Sequence, residues 1–304
     1  MKRNGIEAGL TANGNLLPVT ERAAQDNRLI KKLYKLFDYV WLRRLVLLAV
    51  LCCLWEWYAT RLANPLMFPT FSATIKALAH AVAGGGLPGR IATSFRILVV
   101  GYGIGVLVAV FLSMLAVGTR IGTDLLELFT AMFNPLPAIA LLPLALLWFG
   151  LGNGSITFVL VHAVLWPVAL SAHAGFSGVN TTIRMVGRNY GLTGIRYVLA
   201  ILIPAAFPAL LTGLRNGWAF AWRTLIAAEL VFGVSAGNGG IGWFIYENKQ
   251  QLEIPSVFAG LITVIAIGIA VENLIFDQIE RRTVLKWGMK SARQVTPGTV
   301  KSAV

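Results

Sequence analysis

Residues 175–207, GFSGVNTTIRMVGRNYGLTGIRYVLAILIPAAF, decide how the chain is organised, because this polar segment separates two long apolar runs. Ordered connections of this length are usually functional. The Asn-Thr-Thr at 180–182 can cap a first short helix, and Gly191 suits the position that ends it. A second helical stretch is expected to stop at Pro204. Two short helices joined by a turn predict a projection on which a soluble partner docks.

The composition around this segment is that of a membrane protein. Of the 304 residues, 57% are hydrophobic and 13% are charged, and the mean hydropathy is +0.71. These values exclude a soluble enzyme and a disordered chain. The two cysteines are adjacent, Cys52 and Cys53, which excludes a disulfide-stapled secreted domain. The net charge of +13 comes from basic residues between apolar runs, so it predicts membrane topology and lipid contact rather than nucleic-acid binding.

Six segments are apolar enough to cross a bilayer, which requires about 20 residues per helix. They are residues 45–60, 96–117, 125–149, 156–174, 208–232 and 257–276. The third contains Pro135, Pro137 and Pro143, which could split it into a broken helix surrounded by protein or water. We therefore expect an all-α, six-span protein, divided into a basic N-terminal segment (1–44), a six-span domain (45–277) and a basic tail (278–304).

The distribution of Lys and Arg predicts the orientation. With the N-terminus inside, 19 of the 26 basic residues lie in cytoplasmic segments and four lie outside. This bias places both termini in the cytoplasm. Residues 1–44 are too polar to be a cleavable signal. On the outer side, residues 70–82 predict a short amphipathic helix, with Phe71, Ile75, Leu78 and Val82 on one face.

The spacing within residues 175–207 resembles the cytoplasmic EAA loop of ABC importer permeases. That motif reads Glu-Ala-Ala, three residues, Gly, nine residues, Ile, one residue, Leu-Pro. With its Gly on Gly191, its Ile falls on Ile201 and its Leu-Pro on residues 203–204, of which the first is Ile. The Glu-Ala-Ala positions hold Met185, Val186 and Gly187, so a salt bridge through the family's Glu is not expected here.

Other stretches resemble the nitrate/sulfonate/taurine branch of that family. They are residues 135–152 (PLPAIALLPLALLWFGLG), 221–229 (AWRTLIAAE), 239–243 (GGIGW) and 279–287 (IERRTVLKW). The resemblance implies a type I importer permease in the bacterial inner membrane, working by alternating access as a homodimer. Its partners would be two ABC ATPase subunits docked on residues 175–207 and a periplasmic or extracellular solute-binding protein. Its solute would be a small anion such as nitrate, a sulfonate or taurine.

The sequence contains no Gly-x-x-x-x-Gly-Lys-Ser/Thr loop for ATP phosphates. We therefore expect a non-catalytic subunit that binds no cofactor itself, with ATP and Mg used by the partner ATPase. A transporter driven by an ion gradient is the alternative, and it would predict repeat-related halves and an intramembrane carboxylate relay.

The resemblance places the ATPase contact in residues 175–207. Arg184 and Arg188 lie four apart and share a helix face, so both could contact acidic groups of the ATPase; lipid contact is the alternative. Met185 and Tyr190 could plug the ATPase groove or pack back on the bundle. The candidate coupling residues are Thr182, Arg184, Met185, Val186, Gly187, Arg188, Tyr190, Gly191 and Pro204.

Ionisable groups within spans are costly and therefore indicate function. The candidate path residues are His162, Arg215, Trp218, Trp222, Arg223 and Glu229. Arg215, Trp222 and Glu229 recur every seven residues, which predicts one stripe facing the bundle interior or a water path. The alternatives are structural ion pairs, Glu229 with Arg96 and Arg215 with Glu272. His162 could instead be a core histidine. His80 and His173 are expected at the surface, and no metal site is predicted from these scattered groups.

Overall fold

A computed structural model describes residues 9–10, 16–17, 40–117, 119–232 and 239–289. The chain divides into two compact units, Met1–Ser72 and Ala73–Val304. The first contains a short antiparallel pair, β1 (Gly9–Leu10) and β2 (Leu16–Leu17), with Gly9 opposite Leu17. It also contains the long apolar helix α1 (Val40–Leu62). Most of the predicted basic N-terminal segment lies outside the described residues.

The helices that follow are numbered in chain order. They are α2 (Phe71–Ala83), α3 (Leu87–Val117), α4 (Arg120–Phe133), α5 (Leu142–Phe149), α6 (Asn153–Ser177), α7 (Thr181–Asn189), α8 (Gly194–Tyr197), α9 (Ile203–Phe232), α10 (Ile241–Gln250), α11 (Ile254–Val271) and α12 (Asp277–Glu280). A 3₁₀ turn, Ala138–Leu141, precedes α5. Three π-helical stretches, Val198–Leu202, Glu272–Phe276 and Arg281–Leu285, extend α8, α11 and α12.

Five stretches of the described chain are long and apolar enough to cross a membrane. They are Trp41–Leu62, Leu87–Ala116, Asn153–Ser177, Val198–Val231 and Ile254–Leu285. A sixth candidate is the pair Arg120–Phe133 and Ala138–Phe149, which is bent by 87°. The break falls at residues 134–137, so the expected effect of the prolines on the third span is confirmed. The all-α, six-span architecture is likewise confirmed when the bent pair counts as one span.

Helix α6 lies at the centre of the second unit and packs against α3 and α9. Two of these contacts depend on glycine. A Cβ atom on Gly105 of α3 would lie 2.7 Å from the Cβ of Val164. A Cβ on Gly217 of α9 would lie 2.8 Å from Val168 Cγ2. The absence of side chains at these points lets the helix backbones approach closely, as in other membrane bundles.

The prediction that Pro204 ends the second helix of the 175–207 segment is wrong. The helix runs on from Gly194–Tyr197 through the π-helical turn into α9. In this turn the amide of Ile203 donates to the carbonyl of Val198, five residues back. The wider turn shifts the hydrogen-bond ladder next to Pro204, which has no N–H to donate, so the helix continues instead of stopping.

The predicted amphipathic helix at residues 70–82 is confirmed as α2, but its buried side is different. Thr74 and Ala81 are buried, whereas Ile75 and Val82 are 40% and 53% exposed. Within the first unit, the start of α2 is held by Glu56. Its carboxylate accepts hydrogen bonds from the Ser72 amide at 3.0 Å and the Ser72 hydroxyl at 2.8 Å.

Candidate functional site

The first helix of the 175–207 segment, α7, begins and ends as predicted. The Asn180 side chain accepts a hydrogen bond from the Thr182 amide at 2.9 Å. At the other end Gly191 adopts a φ of +70°. The Gly191 amide donates to Arg188 and the Leu192 amide to Gly187, which completes a Schellman motif. Both ends of this short helix are therefore fixed by local hydrogen bonds.

Arg184 and Arg188 have different surroundings, although they lie four residues apart on the same helix. The Arg184 guanidinium donates to the carbonyls of Phe176, Ser177 and Val179, at 2.5, 3.4 and 3.0 Å. The first two carbonyls belong to the last turn of α6, and that of Val179 lies two residues after its end. Arg188 is exposed. Arg184 therefore ties α7 to α6, and only Arg188 is presented outward.

Gly187 marks the closest approach between α7 and the helix that leads into α9. A Cβ at this position would lie 2.9 Å from Ile201 Cγ1 and 3.0 Å from Tyr197 Cε2. Gly187 is buried, although the residues on either side of it are exposed. The absence of a side chain at Gly187 lets the backbone of α7 pack closely against the Tyr197 ring.

The outer side of α7 is apolar and uncovered. Met185 is 61% exposed and Tyr190 is 81% exposed, and Val186 is also exposed. These side chains do not pack back on the bundle, which was the alternative for Met185 and Tyr190. Thr182 and Arg188 are exposed beside them. Together these five residues form what we call the α7 contact surface.

The predicted path residues separate into three groups. Arg215 belongs to an ion cluster at the end of α11 and in α12, where its Nε lies 3.1 Å from Glu272 Oε1. Its Nη2 lies 3.1 Å from Asp277 Oδ1 and 3.2 Å from Glu280 Oε2. The predicted pair of Arg215 with Glu272 is therefore confirmed. The other two carboxylates were not predicted, although the helical spacing from Glu272 could have indicated them.

Glu229 does not pair with Arg96, which was the alternative to a place in the path. Its side chain is 1% exposed, and its carboxylate accepts hydrogen bonds from Ser94 Oγ at 2.8 and 2.9 Å. It also accepts from the Gly242 amide at 2.8 Å, while Ser94 Oγ accepts from the Ile241 amide at 2.9 Å. Glu229 and Ser94 therefore satisfy the free amides at the start of α10.

The glycines of the GGIG stretch explain why the chain can approach this carboxylate. Cβ atoms on Gly240 or Gly242 would overlap the Glu229 side chain. The short separation between Glu229 and these glycines in the sequence indicates that they can meet. It does not indicate that Ser94 also hydrogen-bonds to Glu229.

Trp218 and Trp222 face the bundle interior. Their rings stack with an interplanar angle of 4° and centroids 6.4 Å apart. Both rings contact Phe95 of α3, and Trp222 Nε1 donates to the Val264 carbonyl of α11 at 3.3 Å. The two tryptophans therefore pack between helices, whereas Arg215 and Glu229, which the predicted stripe also included, have separate polar partners.

His162 lies elsewhere, in the lining of a cavity of about 160 Å³ beside the break between α4 and α5, whereas Arg223 is exposed and lies outside that lining. His162, Trp166, Phe220 and Thr224 line this cavity together with the break itself. The Arg223 guanidinium lies 4.8 Å from the centroid of the Phe220 ring. The sequence analysis did not predict that Trp166 and Thr224 line this cavity, because the break that completes the cavity is distant from both residues in the chain.

A second cavity, of about 530 Å³, adjoins the same break through Asn134 and Pro135. It follows the groove between α4 and α6. Its polar side chains include Thr123, Glu127, Thr130, His173 and Ser177. His173 was expected at the surface and is buried, with its Nε2 3.7 Å from Glu127 Oε1.

Residues 91–284, which include the 175–207 segment, the broken span and Glu229, match the family described as "Binding-protein-dependent transport system inner membrane component". The chain belongs to this family. This permease is therefore a multi-pass inner-membrane subunit of an ABC importer, and its family works with ATPase and solute-binding partners. The predicted importer permease is confirmed, and the gradient-driven alternative is wrong.

Curated relatives agree with the branch. The permease is 31% identical to the taurine transport system permease protein TauC of Escherichia coli, over 74% of this chain and 82% of that one. It is 30% identical to the nitrate import permease protein NrtB of Synechocystis, over 62% and 68%. It is 26% identical to the putative aliphatic sulfonates transport permease protein SsuC of Bacillus subtilis, over 82% and 88%.

Proposed function

We propose that this permease conducts a small anion, such as nitrate, a sulfonate or taurine, as one of two identical subunits. Two ATPase subunits, which hold ATP and Mg, dock on the α7 contact surface, and a solute-binding protein delivers the anion from the other side. The observation that carries this proposal is the exposed apolar surface of α7 on a rigidly held loop.

Docking through α7 is favoured by its charge and hydrophobicity. Met185, Val186 and Tyr190 are large apolar side chains in contact with solvent, and burying one of them contributes about 1.5–3 kcal/mol. Arg188 adds a cation at the edge of the surface, suited to an acidic groove.

Transmission of movement is favoured by the way α7 is held. The Asn180 cap, the Arg184 hydrogen bonds to α6 and the contact of Gly187 with Tyr197 fix the helix at three points. A helix fixed in this way moves with the bundle as one body when a partner displaces it.

The solute class is supported by the relatives, since their names include taurine, nitrate and aliphatic sulfonates. We expect ATP-dependent uptake of at least one of taurine, ethanesulfonate and nitrate in membranes that contain the permease with its ATPase and binding protein. Uptake of none of the three would contradict the proposed solute class.

Docking is tested by purifying the tagged permease from its native membrane and measuring the bound ATPase. Val186→Asp places a charge in the α7 contact surface, and Val82→Asp is the matched control on α2, where the valine is similarly exposed. We expect Val186→Asp to reduce the bound ATPase at least about tenfold, since burying an unpaired carboxylate costs more than 1.4 kcal/mol. Val82→Asp should retain it. Equal retention by both variants, with unchanged gel-filtration profiles, would contradict docking on α7.

A further inference from the structure

One exposed face of α9 is polar, although the helix belongs to a membrane span. Four exposed residues recur there at spacings of three and four, so they lie within about 60° of one another around the helix. They are Thr212, Asn216, Ala219 and Arg223. None of them carries a large apolar side chain. We call these four residues the α9 polar stripe.

The exposed faces of other spans have a different composition. On α11 the exposed residues at the same kind of spacing are Leu261, Ile265 and Ile269. On α3 they include Leu107 and Phe111. Large apolar side chains of this kind suit lipid, whereas charged groups in a span face protein or water. The contrast indicates that the α9 polar stripe does not face lipid.

The cation of the stripe points away from the nearer end of its span. Arg223 is eight residues from the Val231 end and 25 from the Val198 end, about 12 and 37 Å at 1.5 Å per residue. Its Nε donates to the Ala219 carbonyl at 3.0 Å, and its guanidinium carbon lies 4.8 Å from the centroid of the Phe220 ring. Both partners lie toward the more distant end. Arg223 therefore does not extend to the membrane surface, as arginines near the ends of spans do.

The stripe presents hydrogen-bond donors and a positive charge to the space beside it. Within the described ranges no carboxylate lies within 4 Å of Arg223, whereas Arg215 on the same helix has three. Among the described residues, the Arg223 guanidinium donates only through Nε, so the N–H groups of its two terminal nitrogens are available. Asn216 is exposed about 10 Å further along the helix and has a side-chain amide that can donate. These groups favour an occupant that accepts hydrogen bonds and carries negative charge.

We propose that the α9 polar stripe lines the water-filled path of the permease and that Arg223 binds the anionic group of the solute there. Asn216 is the next donor along the path, and the small side chain of Ala219 leaves the space between them open. Direct packing on the same stripe of a second copy would bring two cations together, so water and an anion match its charge better. This assignment rests on the proposed transport of an anion and names the residues that contact it.

Contact with water is measured by cysteine modification in the complete complex with its ATPase and binding protein, in nanodiscs. After Cys52 and Cys53 are replaced by serine, Ala219→Cys on the stripe is compared with Ile265→Cys on the apolar face of α11. A thiol reacts with a methanethiosulfonate as the thiolate, which forms in water. We expect Ala219→Cys to react at least about tenfold faster. Equally slow reaction of both would show that lipid or another helix covers the stripe, and would overturn the proposal.

The charge effect of Arg223 is measured with two reagents of opposite charge, the anionic sulfonatoethyl and the cationic trimethylammonioethyl methanethiosulfonate. On Ala219→Cys, we expect Arg223→Gln to lower the ratio of the anionic to the cationic rate about tenfold, because the lost charge attracts one reagent and repels the other. The matched control is Arg96→Gln, since Arg96 is an exposed arginine of α3 beside the exposed Val99 and Val100. It should leave the ratio unchanged. The same ratio in both variants would overturn the role of Arg223.

The consequence for transport is measured in proteoliposomes that contain the same complex, as the anion taken up per ATP hydrolysed. Arg223→Gln should lower this yield about tenfold, as expected for the loss of one hydrogen bond to a charged group. Arg223→Lys keeps the charge and should retain more of the yield than Arg223→Gln. Arg96→Gln should leave the yield unchanged.

The outcomes separate the two proposals. If the wild-type complex transports none of taurine, ethanesulfonate and nitrate, the proposed function fails, and the reagent rates still decide whether Arg223 attracts anions to the stripe. If it transports an anion while Arg223→Gln keeps the wild-type rate ratio and yield, the function stands and the assignment of Arg223 is wrong.

Discussion

Arg184 and Arg188 show how two equivalent positions in a sequence acquire different chemistry. Arg184 donates to two carbonyls in the last turn of α6 and to one just after it, and Arg188 is exposed. The first arginine therefore positions α7, and the second is available to a partner.

Replacing Arg184 should loosen the loop before any partner is involved. Arg184→Gln removes hydrogen bonds from a charged donor, each contributing about 1.5–3 kcal/mol. We expect amide exchange in residues 180–192 of the isolated permease to become about tenfold faster or more. Arg188→Gln is the matched control and should leave exchange unchanged. Similar protection in both variants would show that Arg184 does not hold the loop.

Gly187 should not tolerate even a methyl group. Gly187→Ala would press a Cβ against Ile201 and Tyr197, and overpacking of this kind costs about 1–3 kcal/mol. We expect the thermal midpoint of the purified permease to fall by a few degrees. Gly103→Ala, where no atom lies within 4 Å of the new Cβ, should leave the midpoint unchanged or raise it. A midpoint unaffected by Gly187→Ala would contradict the close packing.

For single residues, the sequence predicts the interactions that are made with neighbours in the chain. The Asn180 cap and the Gly191 end follow from local rules, and the pair of Arg215 with Glu272 follows from their common depth. The partners of Glu229 do not follow, because Ser94 is 135 residues away and several polar groups share its depth.

Among the helices, the third span departs most from a simple crossing. Its prolines predict a break, and the structure places it at residues 134–137 with a bend of 87°. The sequence could not give the bend angle or the cavity beside it, since both depend on how α6 packs against the break. Pro204 shows the opposite case, in which a π-helical turn keeps the helix continuous.

Helix α10 should depend on Glu229 for its first turn. Glu229→Ala removes the acceptor of the Gly242 amide and leaves a buried donor unsatisfied, at a cost of about 1–3 kcal/mol. We expect amide exchange in residues 241–250 to accelerate about tenfold. Glu229→Gln keeps one acceptor oxygen and should have a smaller effect.

The matched control for α10 is Glu253→Gln, because Glu253 precedes α11 without making a side-chain capping bond. That variant should leave exchange in α10 unchanged. Exchange that stays slow in Glu229→Ala would mean that packing alone holds the helix.

Across the whole chain, the orientation in the membrane is a prediction from the Lys and Arg distribution. Replacing Cys52 and Cys53 by serine gives a cysteine-free background. Asn189→Cys reports on the loop of α7, and Glu253→Cys reports on the opposite side. We expect an impermeant maleimide to label Glu253→Cys in intact cells and Asn189→Cys only after permeabilisation. Labelling of Asn189→Cys in intact cells would reverse the predicted orientation.

The glycine contacts of α6 set limits on how the bundle can deform. Gly105 and Gly217 place the backbones of α3 and α9 directly against Val164 and Val168, so sliding by one turn would drive other side chains into both contacts. We therefore expect α3, α6 and α9 to move as one rigid body, to which α7 is tied by the hydrogen bonds of Arg184 to the end of α6. We therefore expect a displacement of α7 to be transmitted along α6 as far as His162, and we expect the helices to adjust at the break at residues 134–137.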